Sequence, residues 1–443
     1  MAFFSYLSQI NHLFTLFFIF PAVIAAGFYL TFKLRFLQLT HLKKSFLCFT
    51  KNKSTDGNIS RFRAICSVLA GNLGTGNISG MAIAIATGGP GALIWMWIMV
   101  FFGSIIQFAS CVLGVTYRTK TKSGEYVGGP MYYLKQGLGY RKTGILFAAL
   151  AIFGAIAIGN LAQINSVILP LAKLGLNPFY CSLAIAAILG FTVIGGIQRI
   201  SHFASFIIPL KAFLYLGTAI VILAMQYELI IPAFKLMFHE AFNFSALIGG
   251  AAGAGVLKAI TTGFDRGLFA TDAGLGIVPI LQASVKSEHP VIDGIASLIA
   301  PLVVMIVCTA TGLVLIVTGA YQEPLLQSTN MVTHAFSKGL HHPIGSYIVI
   351  FSLVLFAFTT IMAWCYCGEK ALNFILGKEK AELFRYLYIA MIPIGSLLKV
   401  DIIWILADVA VSLMLTINLI GIVGLSNRVI EATREYEAVS TSS

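Results

Sequence analysis

The sequence predicts an all-α integral membrane protein of about eleven transmembrane helices, on three observations. Of its 443 residues 58% are hydrophobic and only 10% are charged, less than half the ~25% charge of soluble domains. Mean hydropathy is +0.90. Apolar runs approaching the ~20 residues needed to cross a ~30 Å hydrocarbon core recur along the whole chain. A soluble enzyme and a disordered chain are excluded. So is a nucleic-acid binder, which the net charge of +12 would otherwise invite. The seven cysteines mostly fall in apolar runs, where thiols behave as small hydrophobes. Cys365-Tyr366-Cys367 lacks zinc-site spacing, so neither a disulfide framework nor a metal site is expected.

Taken in order, spans are expected at 13–32, 63–87, 91–117, 143–168, 179–197, 202–224, 245–283, 292–319, 345–367, 384–399 and 401–425. The first has no basic segment before it and no small-residue cleavage site after it, so it reads as a retained span. The seventh, 39 residues long, would form a helix of about 58 Å. It must break or leave the membrane.

Basic residues set the orientation. Alternate connections, beginning with the Lys33–Arg63 loop and ending with the tail, hold twenty-two Lys and Arg; the opposite set holds Lys173, Lys235, Lys338 and Lys399. This bias places the N-terminus outside and the C-terminus in the cytoplasm. Three cations remain at membrane depth: Lys211, Lys258 and Arg266.

Two spans combine glycine with polar residues: Gly71-Asn72-Leu73-Gly74-Thr75-Gly76-Asn77-Ile78-Ser79-Gly80 in the second, and Gly249, Gly250, Gly253 and Gly255 followed by Gly263-Phe264-Asp265-Arg266-Gly267 in the seventh. Interrupted helices at corresponding places in two halves point to a transporter site; the alternative is close packing through small residues four apart. Setting aside the first span leaves five helices in 63–224 and five in 245–425, with a tail at 426–443. Five is odd, so the second group enters from the opposite face, an inverted repeat. A half-helix N-terminus at the midplane suits a carboxylate, and unwound carbonyls suit a small hard cation.

Several blocks resemble the alanine or glycine:cation symporter family. Gly88-Gly89-Pro90-Gly91-Ala92-Leu93-Ile94-Trp95-Met96-Trp97 through Gly103 is similar to its signature, with Ile94 where Phe is usual. Gly71–Gly80, Gly128-Gly129-Pro130-Met131-Tyr132-Tyr133, Gly159-Asn160 with Gln163, Arg266–Phe269 with Asp272–Gly276, Trp364–Leu372 and Leu406-Ala407-Asp408 also resemble family blocks. The resemblance spans nearly the whole chain. It implies a LeuT-type 5+5 fold with an extra N-terminal helix in the bacterial inner membrane, and symport of alanine or glycine with Na+, without a cofactor. It further implies that Gly74, Thr75, Gly76, Asn77, Gln163 and Trp364 bind the substrate. Phe264 and Leu268 would close over its side chain, and Ala70, Leu73, Thr359 and Thr360 would hold the cation. Glycine walls and one Trp would leave room for a methyl.

Departures concentrate at depth. Lys211 and Lys258 stand where the family has uncharged residues, Pro301-Leu302-Val303-Val304 replaces a stretch that usually carries Asp, and Asn418 follows Ile417 rather than the usual Pro. An intramembrane lysine costs about 3 kcal/mol on insertion scales and marks function. Lys211 would either occupy the cation site as an ammonium, giving proton-coupled or Na+-independent transport, or pair with Asp265, Asp272 or Asp408. For Lys258 pairing or snorkelling is expected. Arg266 is expected to pair with Asp265. His334, His341 and His342 lie in a connection whose composition suggests a short gating helix. An ion channel or a transporter-fold sensor remains as a remote alternative, and the oligomeric state is not fixed.

Overall fold

The computed structural model describes residues 2–48, 61–121, 124–242, 251–285, 289–323 and 325–442. Helices occupy every expected span position. Helix α1 runs through Ala2–Phe14, a π-helical turn at Thr15–Ile19 and Phe20–Lys33, so it starts eleven residues before the expected boundary of 13. It is followed by α2 (Arg61–Asn72 and Ser79–Gly88), α3 (Ala92–Thr116) and α4 (Arg141–Ile156 and Ala162–Lys173). Then come α5 (Pro178–Val193), α6 (Gly196–Met225), α7 (Ala251–Thr271 and Ile277–Gln282) and α8 (Pro290–Ser297 and Ile299–Val317). The series ends with α9 (Ile344–Leu376), α10 (Lys378–Leu397) and α11 (Val400–Gly424). Seven unbroken stretches, in α1, α3, α4, α6, α8, α9 and α11, are long and apolar enough to cross a membrane, and the bent halves of α2, 58° apart, make an eighth.

The sequence shows why the helices start where they do. Pro130, Pro178 and Pro290 sit in first turns, where a missing N–H costs nothing and a fixed φ is already helical. The Asn177 side chain accepts from Phe179 N at 3.0 Å and caps α5.

Side-chain contacts gather alternate connections at one end. Arg118 beyond α3 donates to the Val285 carbonyl beyond α7 at 2.9 Å. Lys370 of α9 pairs at 2.7 Å with Glu125, beside a two-strand hairpin in which β1 (Thr119–Lys120) pairs with β2 (Tyr126–Val127). Arg385 of α10 holds Glu369 at 2.6 Å and the Ile194 carbonyl beyond α5 at 3.0 Å. Tyr436 stacks on His289 and approaches Lys44. At the other end the Trp95 indole donates to Ala241 at 3.1 Å, in a helix at Ile230–Phe242. A further helix, Ser328–Leu340, largely buried, carries His334 in the connection expected to hold a gating helix.

The last described residues, Ser426–Ser442, are helical, with Val429 and Ile430 buried. One expectation changes. The seventh span does not open at Gly263–Gly267, which lies inside the continuous helix Ala251–Thr271. It opens at 272–276, where Asp272, Gly274 and Gly276 all have positive φ. Gly249 and Gly250 lie outside the described residues. Gly263 and Gly267 serve packing on α3: a Cβ at Gly263 would come within 2.2 Å of the Ala92 carbonyl.

Candidate functional site

The break in α2 begins after Asn72, and nearly all the carbonyls it frees are met by side chains. Thr360 Oγ1 donates to the Ala70 carbonyl at 2.8 Å. Asn77 Nδ2 donates to the carbonyls of Asn72 and Gly74, each at 3.0 Å. Ser79 Oγ meets Thr75 O at 2.7 Å. With no water at this depth, each such group left bare would be costly, so the break persists only where it is answered from within. Among the described residues the N–H groups of Gly74 and Gly76 have no hydrogen-bond partner.

Gln163 ties this break to α4. Its Nε2 donates to the Ile158 carbonyl at 3.0 Å, in the π-helical turn Ala157–Leu161, and its Oε1 accepts from Thr75 N and Oγ1 at 2.8 and 2.9 Å. Both ends of the amide are fixed, so the side chain is a rigid strut. Gly159 brings the same turn against Trp364; a Cβ there would lie 2.2 Å from the Trp364 Cβ.

These groups surround a cavity of about 10 Å³, room for roughly one water. Its walls are Gly71, Asn72, Gly74, Gly76 and Asn77 of α2, Ile158 and Gln163 of α4, Phe269, Ala270 and Asp272 of α7, and Thr360 and Trp364 of α9. Gly74, Gly76, Asn77, Gln163 and Trp364 are thus brought together, with Thr75 bonded immediately behind. Phe264 and Leu268 are not on this wall. One turn apart on one face of a straight helix, they are buried elsewhere, and Phe264 packs edge-on against Phe20 of α1 at 5.0 Å. Phe269 and Asp272 stand in their place. Both lie in blocks that resemble the family's, but neither is assigned a substrate contact there, because the break is expected at Gly263–Gly267 and lies at 272–276 instead.

Of the four residues assigned to the cation, Ala70 and Thr360 bond to each other, and Leu73 and Thr359 meet a lysine. Lys211, fully buried in α6, donates to the Leu73 carbonyl at 2.7 Å and to Thr359 Oγ1 at 2.6 Å, with the Phe356 ring 4.5 Å away. Its partners are therefore neutral oxygens rather than Asp265, Asp272 or Asp408. Lys258 is exposed on α7.

Beside the central cavity lies a vestibule of about 460 Å³, walled in part by Thr87, Tyr321, Ser328 and Asp401. Arg266 on its wall pairs with Asp408 of α11, one Nη atom lying 2.5 and 2.6 Å from the two carboxylate oxygens. This replaces the expected partner, Asp265; the helix points adjacent residues in different directions, and Arg266 faces α11. Trp404 lies 4.9 Å from the guanidinium and 4.8 Å from the Phe269 ring. Arg266, Trp404 and Phe269 together form the partition between vestibule and cavity.

Asn418 serves the second break. Its Nδ2 donates to the Gly274 carbonyl at 2.7 Å, and its Oδ1 accepts from Tyr133 Oη.

Residues 2–443 match the model of a family described as the sodium:alanine symporter family. An uncharacterised transporter of Haemophilus influenzae is 39% identical over 93% of this chain and 91% of its own length. The sodium/alanine symporter AgcS of Methanococcus maripaludis is 37% identical over 94% and 93%. The crystal structure of MhsT in complex with L-phenylalanine superposes with a TM-score of 0.62 over 84% of this chain and 90% of that one, at 13% identity, a likeness of the LeuT-type fold alone. With a whole-length family match and relatives this close, the chain belongs to the sodium:alanine symporter family, a family of transporters rather than enzymes.

Proposed function

We propose that this protein imports a small neutral amino acid, alanine or glycine, by cation symport through alternating access. In this reading eleven helices cross the bacterial inner membrane, with the N-terminus outside, the C-terminus in the cytoplasm and α2–α6 and α7–α11 as inverted halves. The observation that carries it is the closed cavity where both helix breaks meet. The unpaired Gly74 and Gly76 N–H groups suit a substrate carboxylate. A wall of glycine, Phe269 and Trp364 suits a side chain no larger than methyl. At its present volume the cavity must widen to admit an amino acid, as a carrier that alternates between states requires.

In the family's terms the cation is Na+, held by Ala70, Leu73, Thr359 and Thr360. A second reading is favoured by Lys211, whose ammonium already lies against Leu73 O and Thr359 Oγ1. A fixed positive charge there repels a second cation by Coulomb interaction at short range, so coupling through this site runs on a proton or not at all. Uptake of labelled alanine into proteoliposomes under imposed Na+ or proton gradients decides between the two. Sodium-independent uptake that becomes sodium-driven in Lys211→Met is the outcome expected of the second reading. Sodium-driven uptake by the unmodified protein, with no response to a proton gradient, rejects it. No uptake of any small amino acid rejects transport.

A further inference from the structure

The central cavity has a second polar end, on α7. Asp272 lines it at 2% exposure, and among the described residues no Lys, Arg or His forms an ion pair with it. A buried charge without a partner is costly, and its position is paid for in backbone terms as well: Asp272 has φ +50°, uncommon for a side chain with a Cβ. Two bonds fix that conformation, from Asp272 N to Leu268 O and from Leu275 N to Asp272 O, both 3.0 Å. Strain of this kind, where the surroundings over-determine it, collects at ligand clamps.

Two polar atoms of the same wall lack a hydrogen-bond partner of standard geometry among the described residues. Asn72 Oδ1 has no hydrogen-bond partner, while its Nδ2 is committed to the Thr271 carbonyl next to Asp272. Trp364 Nε1 has no partner of standard geometry and is turned toward the Asp272 carboxylate. The wall thus carries bare N–H groups at Gly74 and Gly76, a bare amide oxygen at Asn72, and at Asp272 a carboxylate that meets the Trp364 indole but no cation among the described residues.

We propose that Asp272, with Asn72 Oδ1, receives the ammonium group of the substrate, so that the cavity selects a zwitterion by charge at both ends. This rests on the amino-acid reading above and extends it to the residue that separates amino acids from other small carboxylates. A −NH3+ group has three donors and no acceptor, which fits one carboxylate and one amide oxygen. A bound metal ion fits less well, because no cluster of three His, Cys, Asp or Glu is present among the described residues.

The test is equilibrium binding of L-alanine and of L-lactate, which carries a hydroxyl in place of the ammonium, to the purified full chain in lipid nanodiscs. The unmodified protein is expected to bind alanine and to exclude lactate. Asp272→Asn should weaken alanine by on the order of 30-fold or more and narrow its advantage over lactate. Asparagine tolerates positive φ nearly as well as aspartate, so the melting temperature should hold. If that variant does not fold, Asp272→Glu is read instead, with weaker alanine binding and lactate still excluded expected. Unchanged alanine affinity in either variant, or lactate bound as well as alanine by the unmodified protein, overturns the proposal alone. Binding of neither alanine nor glycine by the unmodified protein overturns the amino-acid reading, and the proposal falls with it.

Discussion

At Gly159 a single hydrogen sets the position of Trp364. Any side chain there would occupy the space of the indole's own Cβ, and a close-packed interior absorbs such an insertion by strain. Gly159→Ala is expected to cost about 1–3 kcal/mol and to impair uptake, read as a lower melting temperature together with lost transport. Lys211 stands out in the sequence because a charge is conspicuous in an apolar run, whereas Thr359 is marked only by the family resemblance. Asp272 is named in the sequence only as part of a family-like block and as a possible partner of Lys211; its place on the cavity wall comes from the positive-φ turn at 272–276, which residue type does not write. Arg266 was noticed for the same reason as Lys211, but sequence adjacency suggested the wrong carboxylate. Asp408 is 142 positions away in the chain and 2.5 Å away in space.

The first helix break was legible because Gly74, Thr75, Gly76 and Asn77 supply both the freedom to unwind and the polar groups to stabilise the unwound turn. The second was placed too early because glycine has two uses. Gly263 and Gly267 share one helical face and let α7 press on α3, whereas Gly274 and Gly276, with Asp272, turn the chain. The π-helical turn that sets Gln163 left no sequence signal beyond Gly159-Asn160. The second break depends on Asn418, the only side chain reaching the Gly274 carbonyl among the hydrogen bonds of the described residues. Asn418→Leu keeps the volume and removes the donor, leaving that carbonyl bare. A loss of about 1–3 kcal/mol is expected, measured by thermal unfolding in detergent. A change within error would show that the turn at 272–276 holds itself.

For the molecule as a whole, the closed partition between vestibule and cavity depends on the Arg266–Asp408 pair. Removing one member of such a pair leaves a charge without compensation, and removing both does not. Asp408→Ala is expected to cost about 3–5 kcal/mol, and the Arg266→Met/Asp408→Leu double variant to recover most of it. Additive losses in that cycle would show that the two side chains act independently. The double variant should also expose the cavity, read as loss of accumulated substrate despite restored stability. That the chain is a bundle of long apolar helices, with alternate connections drawn to one end, was legible from apolar length and basic bias. Which side chains join the helices was not, because the contacts that tie α2 to α7 and to α9 span 199 and 290 positions. The unbroken run Ala251–Thr271 gives this architecture a mechanical property. It is a stiff lever of about 31 Å whose fulcrum is the turn at 272–276, beside the central cavity. A tilt of about 10° there sweeps the far tip through roughly 5 Å. Phe264 meets Phe20 partway along the arm, so the grip of the added first helix would act as a brake on the stroke.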